Sequence, residues 1–328
     1  MILIITNKED VHPSPVIDIL NRRRVPFFRF NTESLLTEYE FCWWANEHES
    51  DFILKNLING QSIKGSEITA VWDRRPERPK DLFISNTEEI NKHNLQEALG
   101  FLYFLRYYIK DIPSIGSIAW DRIASSKMLQ YRVAQSVGLS VPKTIFTNRK
   151  HFVNSFFQGC PRLAVKPIDS SDVLDAKTEM DYIFYTQTLN GDQLQSVPEE
   201  AFSQTVSFIQ SYIEKQFELR VTVVGHDVFA AKIDSQKYAK GQGAEDWRQA
   251  EDPDMFLSAF ELKEEDQKKC IEVVTQLGLN FGCLDLVVRP DGELVFLECN
   301  PNGQWLWIEL ATKAPISESI ANFLANPN

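Results

Sequence analysis

Residues 282–300 read Gly282-Cys283-Leu284-Asp285-Leu286-Val287-Val288-Arg289-Pro290-Asp291-Gly292-Glu293-Leu294-Val295-Phe296-Leu297-Glu298-Cys299-Asn300. Asp291-Gly292 is a strong two-residue hairpin signal. The stretch therefore predicts two antiparallel strands in which Pro290 faces Glu293, Asp285 faces Glu298 and Cys283 faces Asn300. Alternation puts Asp285, Glu298 and Asn300 on one face, and Leu284, Leu286, Val288, Val295, Leu297 and Cys299 on the other. Two carboxylates directly across a ladder, about 4.5–5.5 Å apart, repel unless something offsets their charge. Their hard oxygens, with the Asn300 amide, suit Mg²⁺ shared with phosphates. A solvated polar face is the alternative.

Working outward, residues 218–234 predict a second hairpin. A three-residue loop, Gly225-His226-Asp227, sets Arg220 opposite Lys232 and Glu218 opposite Asp234. Two facing cations suit a phosphate or acyl phosphate lying over them, while a surface salt-bridge ladder is the plain alternative. Lys166, at the end of Leu163-Ala164-Val165-Lys166-Pro167, is either a phosphate contact or a snorkelling lysine. Lys127 has the same two readings. Phe208 to Ile213, an apolar run interrupted by Gln210, reads on its own as an ordinary strand, the alternative being a backbone edge that receives a base. Arg74, Arg75 and Arg78 form a basic island suited to an acidic substrate segment or to local ion pairs.

The rest of the chain predicts an α/β (α+β) protein. Residues 2–6, 15–24 and 26–30 give a β-α-β opening. Residues 39–45 and 50–58 suit a hairpin, residues 69–72 a strand, and residues 88–109 a long, largely buried helix. A boundary falls near residues 111–121. Helices are expected at 124–137 and 264–277. Strands are expected from Val141, at 162–167, 182–186, 206–213, 217–224 and 228–235, and in the 282–300 hairpin. Residues 169–181 suit a mobile loop.

The chain has 328 residues, of which 34 are Lys or Arg and 46 are Asp or Glu, a net charge of −12. That acidity disfavours nucleic acid or anionic lipid as the main partner. No apolar run reaches the roughly 20 residues that span a bilayer, and residues 1–5 read as a strand, not a signal peptide. Five scattered cysteines without a C-x-x-C pair indicate neither a disulfide framework nor a zinc site, so the expected compartment is the cytoplasm. The histidines lack ligand spacing. There is no P-loop, dinucleotide fingerprint or nucleophile elbow.

In order along residues 120–310 these pieces resemble the ATP-grasp superfamily. Trp120 to Lys127, Ala164-Val165-Lys166-Pro167, Gln210-Ser211-Tyr212-Ile213 and the Asp285, Glu298, Asn300 set carry the likeness. Glu298-Cys299-Asn300-Pro301-Asn302-Gly303-Gln304-Trp305 and Ala70-Val71-Trp72-Asp73-Arg74-Arg75 are similar to the peptide-modifying branch, the graspetide (microviridin-type) macrocyclases. The resemblance implies an N-terminal α/β domain (1–118), a central domain (119–205) and a C-terminal domain (206–328), the last two clasping ATP. It implies nucleotide contacts from Lys127, Lys166, Gln210, Ser211, Tyr212, Ile213, Glu218 and Lys232, with Mg²⁺ on Asp285, Glu298 and Asn300. Arg220 and Lys232 would be catalytic, and the 169–181 loop would close over the phosphates. The implied partner is a ribosomal precursor peptide, leader plus core, cyclised through ω-ester or ω-amide bonds, and the resemblance allows a homodimer. An intermolecular amino-acid ligase and a non-catalytic ATP-binding module are the competing readings.

Overall fold

The computed structural model describes residues 1–80, 87–116, 122–168, 172–175, 180–238 and 257–327. In the N-terminal part, strands β1 (Ile2–Thr6), β2 (Phe27–Asn31), β3 (Tyr39–Ala45), β4 (Ser50–Asn56), β5 (Ser62–Lys64), β6 (Ala70–Asp73) and β7 (Ser114–Ile115) form two sheets. One is parallel, in the order β2-β1-β6-β7, and the other is the antiparallel meander β3-β4-β5. Every residue of β1 is buried, which is why its sequence is an unbroken apolar run. Ile2 and Ile4 pack on the helix Pro13–Arg22, while Leu3 and Ile5 share a core with the helix Glu88–Tyr108.

The central sheet contains β8 (Thr144–Thr147), β9 (Arg162–Lys166), β12 (Gln187–Asn190) and β13 (Ser207–Ser211), in the order β12-β9-β13-β8. Between β9 and β12, β10 (Asp172–Asp175) and β11 (Met180–Ile183) pair antiparallel. The expected loop at 169–181 thus contains a strand pair, and residues 169–171 and 176–179 lie outside the described residues.

The last sheet runs β16-β15-β14-β17-β18, from β14 (Phe217–Val224), β15 (Asp227–Ile233), β16 (Leu257–Phe260), β17 (Phe281–Val288) and β18 (Leu294–Asn300). Helices Lys127–Ser136 and Glu264–Gln276 cover one of its faces through Leu219, Val221, Val223, Leu284, Leu286 and Phe296. Part of the other face is covered by Trp305 and by the helices Leu306–Thr312 and Ile316–Ala325, which the sequence reading did not foresee. The last helix also packs on Pro13–Arg22, burying Ile320, Ala321 and Leu324 beside Val16, Ile19 and Leu20.

Three expectations are corrected. The 88–108 helix buries only Ala98, Leu102 and Leu105, and leaves Tyr103, Phe104, Tyr107 and Tyr108 exposed. The β14–β15 loop is two residues, because Val224 pairs with Asp227 and Gly225 adopts φ 57°. Arg220 therefore pairs with Ala231, not Lys232, and Glu218 with Ile233, not Asp234. The expected register assumed one polar face, whereas β14 is buried along its whole length. In the β17–β18 hairpin the turn spans Arg289 to Gly292, with Arg289 N–H donating to Glu293 O at 2.9 Å. Val288 then pairs with Leu294 and Leu286 with Phe296, and a bulge beyond Asp285 restores the pairing of Asp285 with Glu298 and of Cys283 with Asn300. Among the described residues, no helix is long and apolar enough to cross a membrane.

Candidate functional site

A cleft of about 670 Å³ opens between the central and C-terminal sheets. From the C-terminal sheet come Asp285, Glu298 and Asn300, with Arg220 on the neighbouring strand directly across the ladder from Asp285. Arg220 Nη1 donates to Asp285 Oδ1 at 2.8 Å. Burial disfavours the Arg220 charge, but Asp285 more than offsets that, so the guanidinium titrates above its ordinary value. Lys127, the first residue of its helix after the Ser126 N-cap, is ion-paired with Glu298. Glu218 is paired with Lys215 and accepts a hydrogen bond from Ser235 Oγ at 2.5 Å.

The central sheet supplies Lys166, at the end of β9, and Gln210, on β13. Gln210 Nε2 donates to Tyr131 Oη (2.8 Å) and Thr144 Oγ1 (3.0 Å). The Tyr131 phenol is pushed upward, first by burial and then by Glu298. Where β13 ends, the N–H groups of Ser211 and Tyr212 are taken by the carbonyls of Lys143 (2.8 Å) and Arg162 (3.0 Å). For Ile213 N–H no partner occurs among the described residues, which leaves it for an incoming acceptor at the cleft edge.

The loop after β18 completes the wall. Arg74 is 1 % exposed; its Nη1 donates to the carbonyls of Asn302 (2.6 Å) and Gly303 (3.1 Å), and its Nε to Asp10 (3.1 Å). Asp10 in turn accepts from His12, whose ring meets Trp305 edge-on at 5.5 Å. Gly303 sits where a Cβ would come within 2.3 Å of the Cys283 Cβ and 2.9 Å of Arg220 Nη2. A hydrogen-bonded clamp from the N-terminal sheet thus fixes the segment that follows Asn300.

Arg75, Lys127, Lys166, Gln210, Ser211, Tyr212, Ile213, Glu218, Arg220, Asp285, Glu298 and Asn300 all line the cleft. Three sequence candidates fall outside its lining. Arg74 is spent on the clamp and has no surface to offer an acidic peptide. Arg78 is exposed away from the lining. Lys232 lies on the helix-covered face of its sheet, 4.5 Å above the Phe217 ring, paired with Asp234 at 2.9 Å. The reading missed Lys215, Gln130 and Trp307, all in the cleft wall. Gln130 Nε2 and Oε1 hold the Cys299 carbonyl and N–H, at 2.6 and 3.0 Å. Its signal was a polar residue on the helix side that carries Ala134.

The residues fit a metal–polyphosphate ligand on the chemistry of the donor set. Two carboxylates and an amide offer hard oxygens on one face, cations surround them, and the buried atoms Gln210 Oε1 and Arg220 Nε meet no hydrogen-bond partner among the described residues. Two sheets gripping such a cleft form the ATP-grasp fold. Residues 1–110 match the MvdD pre-ATP grasp domain family. Over its whole length the chain shares its fold with RiPP-associated ATP-grasp ligases. It is 26% identical to the macrocyclase MdnC of Microcystis aeruginosa MRC, crystallised with precursor peptide MdnA, over 99% of each chain, with a TM-score of 0.83. The RiPP-associated ATP-grasp ligase of Chryseobacterium gregarium, in complex with ADP and a leader and core peptide, is 24% identical over 98% of this chain and 96% of that one (TM-score 0.88). The ATP-grasp ligase PsnB, complexed with a phosphomimetic minimal precursor, Mg and ADP, is 19% identical over 98% and 97%, with a TM-score of 0.74. No curated protein matches the chain.

Proposed function

We propose that this chain is an ATP- and Mg²⁺-dependent peptide macrocyclase of the cytoplasm, joining Asp or Glu side chains of a ribosomal precursor peptide to a hydroxyl or amine of the same peptide. The observation that carries the reading is the convergence of Asp285, Glu298, Asn300, Lys127, Lys166 and Arg220 on one cleft that also opens onto Arg75. The full-length likeness to MdnC, a macrocyclase with a bound precursor peptide, supports the substrate class.

Bound Mg-ATP would supply the phosphoryl group that turns a substrate carboxylate into an acyl phosphate, whose phosphate departs when the nucleophile attacks. Asp285, Glu298 and Asn300 would hold the metal. Lys127 and Lys166 would hold phosphate oxygens. Arg220, buried and preorganised on its strand, would stabilise negative charge building at the acyl centre. Ile213 N–H and the carbonyls beside it would meet the base, with Gln210 fixing that strand end through Tyr131 and Thr144. Arg75, exposed at the rim with φ 50°, would orient the acidic side chain. Glu218 would stand on the nucleotide side of the cleft. A partition at 1–118, 119–205 and 206–328 would serve this chemistry, the second and third segments gripping the nucleotide and the first delivering Arg75.

The test is intact mass of the short peptide encoded beside the gene, after incubation with the protein and Mg-ATP. Loss of one water per ring, absent with Glu298→Ala, is the expected result. A mass gain that requires a free amino acid would replace the reading with an intermolecular ligase.

A further inference from the structure

Asp285 and Glu298 face each other across the β17–β18 ladder, a placement in which two carboxylates repel. Each has instead been given a cation, and from separate elements. Arg220 stands across the β14–β17 ladder from Asp285 and binds it at 2.8 Å. Lys127 reaches Glu298 from the first turn of its helix, 171 residues away in the chain. The four charges sum to zero before any ligand enters.

The two cations differ in freedom. Arg220 is 8 % exposed, lies within a buried strand, and its Nη2 also donates to Gln304 O at 3.4 Å. It has nowhere to go. Lys127 has a flexible stem, and its side chain keeps 18 % of its surface in the cleft. A bare dication arriving at Glu298 would have to push the Lys127 ammonium aside and remain next to it, with two like charges close together in a partly desolvated pocket. A polyphosphate changes the balance, because its oxygens can receive the displaced ammonium in a charge-assisted contact.

We infer that Lys127, with Arg220 behind it, is a built-in counter-cation that refuses a lone divalent metal at Asp285 and Glu298 and admits it only with a polyphosphate, onto which Lys127 transfers. The inference rests on the metal assignment made above. It makes Lys127 a residue that sets the order of binding as well as a phosphate contact. It also follows that a metal–nucleotide complex is what the site selects.

Mn²⁺ is the probe, followed on the full chain by equilibrium dialysis with and without ADP, so that metal held by the protein is counted apart from Mn-ADP in solution. Wild type should leave Mn²⁺ free without ADP at concentrations where it is bound with ADP. Lys127→Met, which keeps the stem and removes the charge, should bind Mn²⁺ without nucleotide at least tenfold more tightly than wild type. Lys127→Gln should do the same and serves if the methionine variant does not fold. Wild type binding Mn²⁺ equally well with and without ADP would overturn the inference and leave the metal site standing. So would folded Lys127 variants with wild-type Mn²⁺ affinity. Failure of wild type to bind Mn²⁺ even with ADP would remove the metal assignment itself, and the inference with it.

Discussion

Gly303→Ala is the sharpest test of how the cleft is held. A Cβ built at Gly303 would lie 2.3 Å from the Cys283 Cβ, 2.6 Å from its Sγ and 2.9 Å from Arg220 Nη2. Cys283 cannot yield: it is 0 % exposed, and its strand is laddered to β14 on one side and β18 on the other. The loop itself must move outward, by about 1 Å if the contact is to approach ordinary van der Waals distance, against the two Arg74 hydrogen bonds. Overpacking of this kind costs about 1–3 kcal/mol, which predicts a fall in Tm of a few degrees. The loss of turnover should be much larger, on the order of 100-fold, because Asn300 and Arg220 flank the displaced segment and misplacement by about 1 Å in an active site has that effect. Thermal unfolding and the rate of water loss from the peptide measure the two quantities. Gly191→Ala is the control, since a Cβ there would meet nothing within 4 Å. Pairing Gly303→Ala with Cys283→Gly removes the two nearest clashing atoms and leaves Arg220 Nη2, so it should restore part of the activity, a coupling a double-mutant cycle would read. Gly303→Ala with both Tm and turnover unchanged would refute the idea that close backbone approach at this point holds the site.

Asp10→Asn tests the clamp: burial would raise the Asp10 pKa, but the His12 hydrogen bond and the Arg74 charge outweigh it and hold it below the ordinary carboxylate value. A depressed carboxylate stabilises the fold fully above its unfolded pKa and loses that contribution as pH falls through the folded one. Urea unfolding between pH 6 and 3 should therefore show a flatter pH dependence for Asp10→Asn, with about 3–5 kcal/mol lost at neutral pH from the broken buried pair; an unchanged profile would sink this reading. Ile320→Ala, at a position 0 % exposed between the last helix and Pro13–Arg22, should cost about 2–5 kcal/mol in chemical unfolding, and a cost under about 1 kcal/mol would mean that packing there is loose.

The β17–β18 site was legible because alternation on a half-buried strand pair leaves a polar face visible in the sequence. The register survived a wrong turn: the loop is longer than Asp291-Gly292, and the bulge after Asp285 compensates for it. The same logic failed one hairpin earlier. Both faces of β14 are covered, one by helices and the other by Trp305 and its neighbours, so Arg220 is a buried cation in an apolar strand and no alternation marks its partner. Arg74 was misread for a related reason. Three arginines in five residues look like a surface island, and nothing local says that Asp10 and the carbonyls of Asn302 and Gly303 will enclose the first of them. Tyr103, Phe104 and Tyr107 misled in the opposite direction, since aromatic content alone does not say which side of a helix meets a core.

The helix Ile316–Ala325, lying against Pro13–Arg22, has a consequence for biosynthesis. The helix Pro13–Arg22 cannot bury its outer side until the chain has been made through to Ile316–Ala325. Val16, Ile19 and Leu20 must wait some 300 residues for Ile320 and Leu324. An N-terminal segment that would ordinarily fold first during synthesis is instead among the last to be sealed. Until then its apolar surface is open to chaperones, and a nascent chain stalled before residue 316 would carry every residue that lines the cleft and still lack the helix that covers Pro13–Arg22.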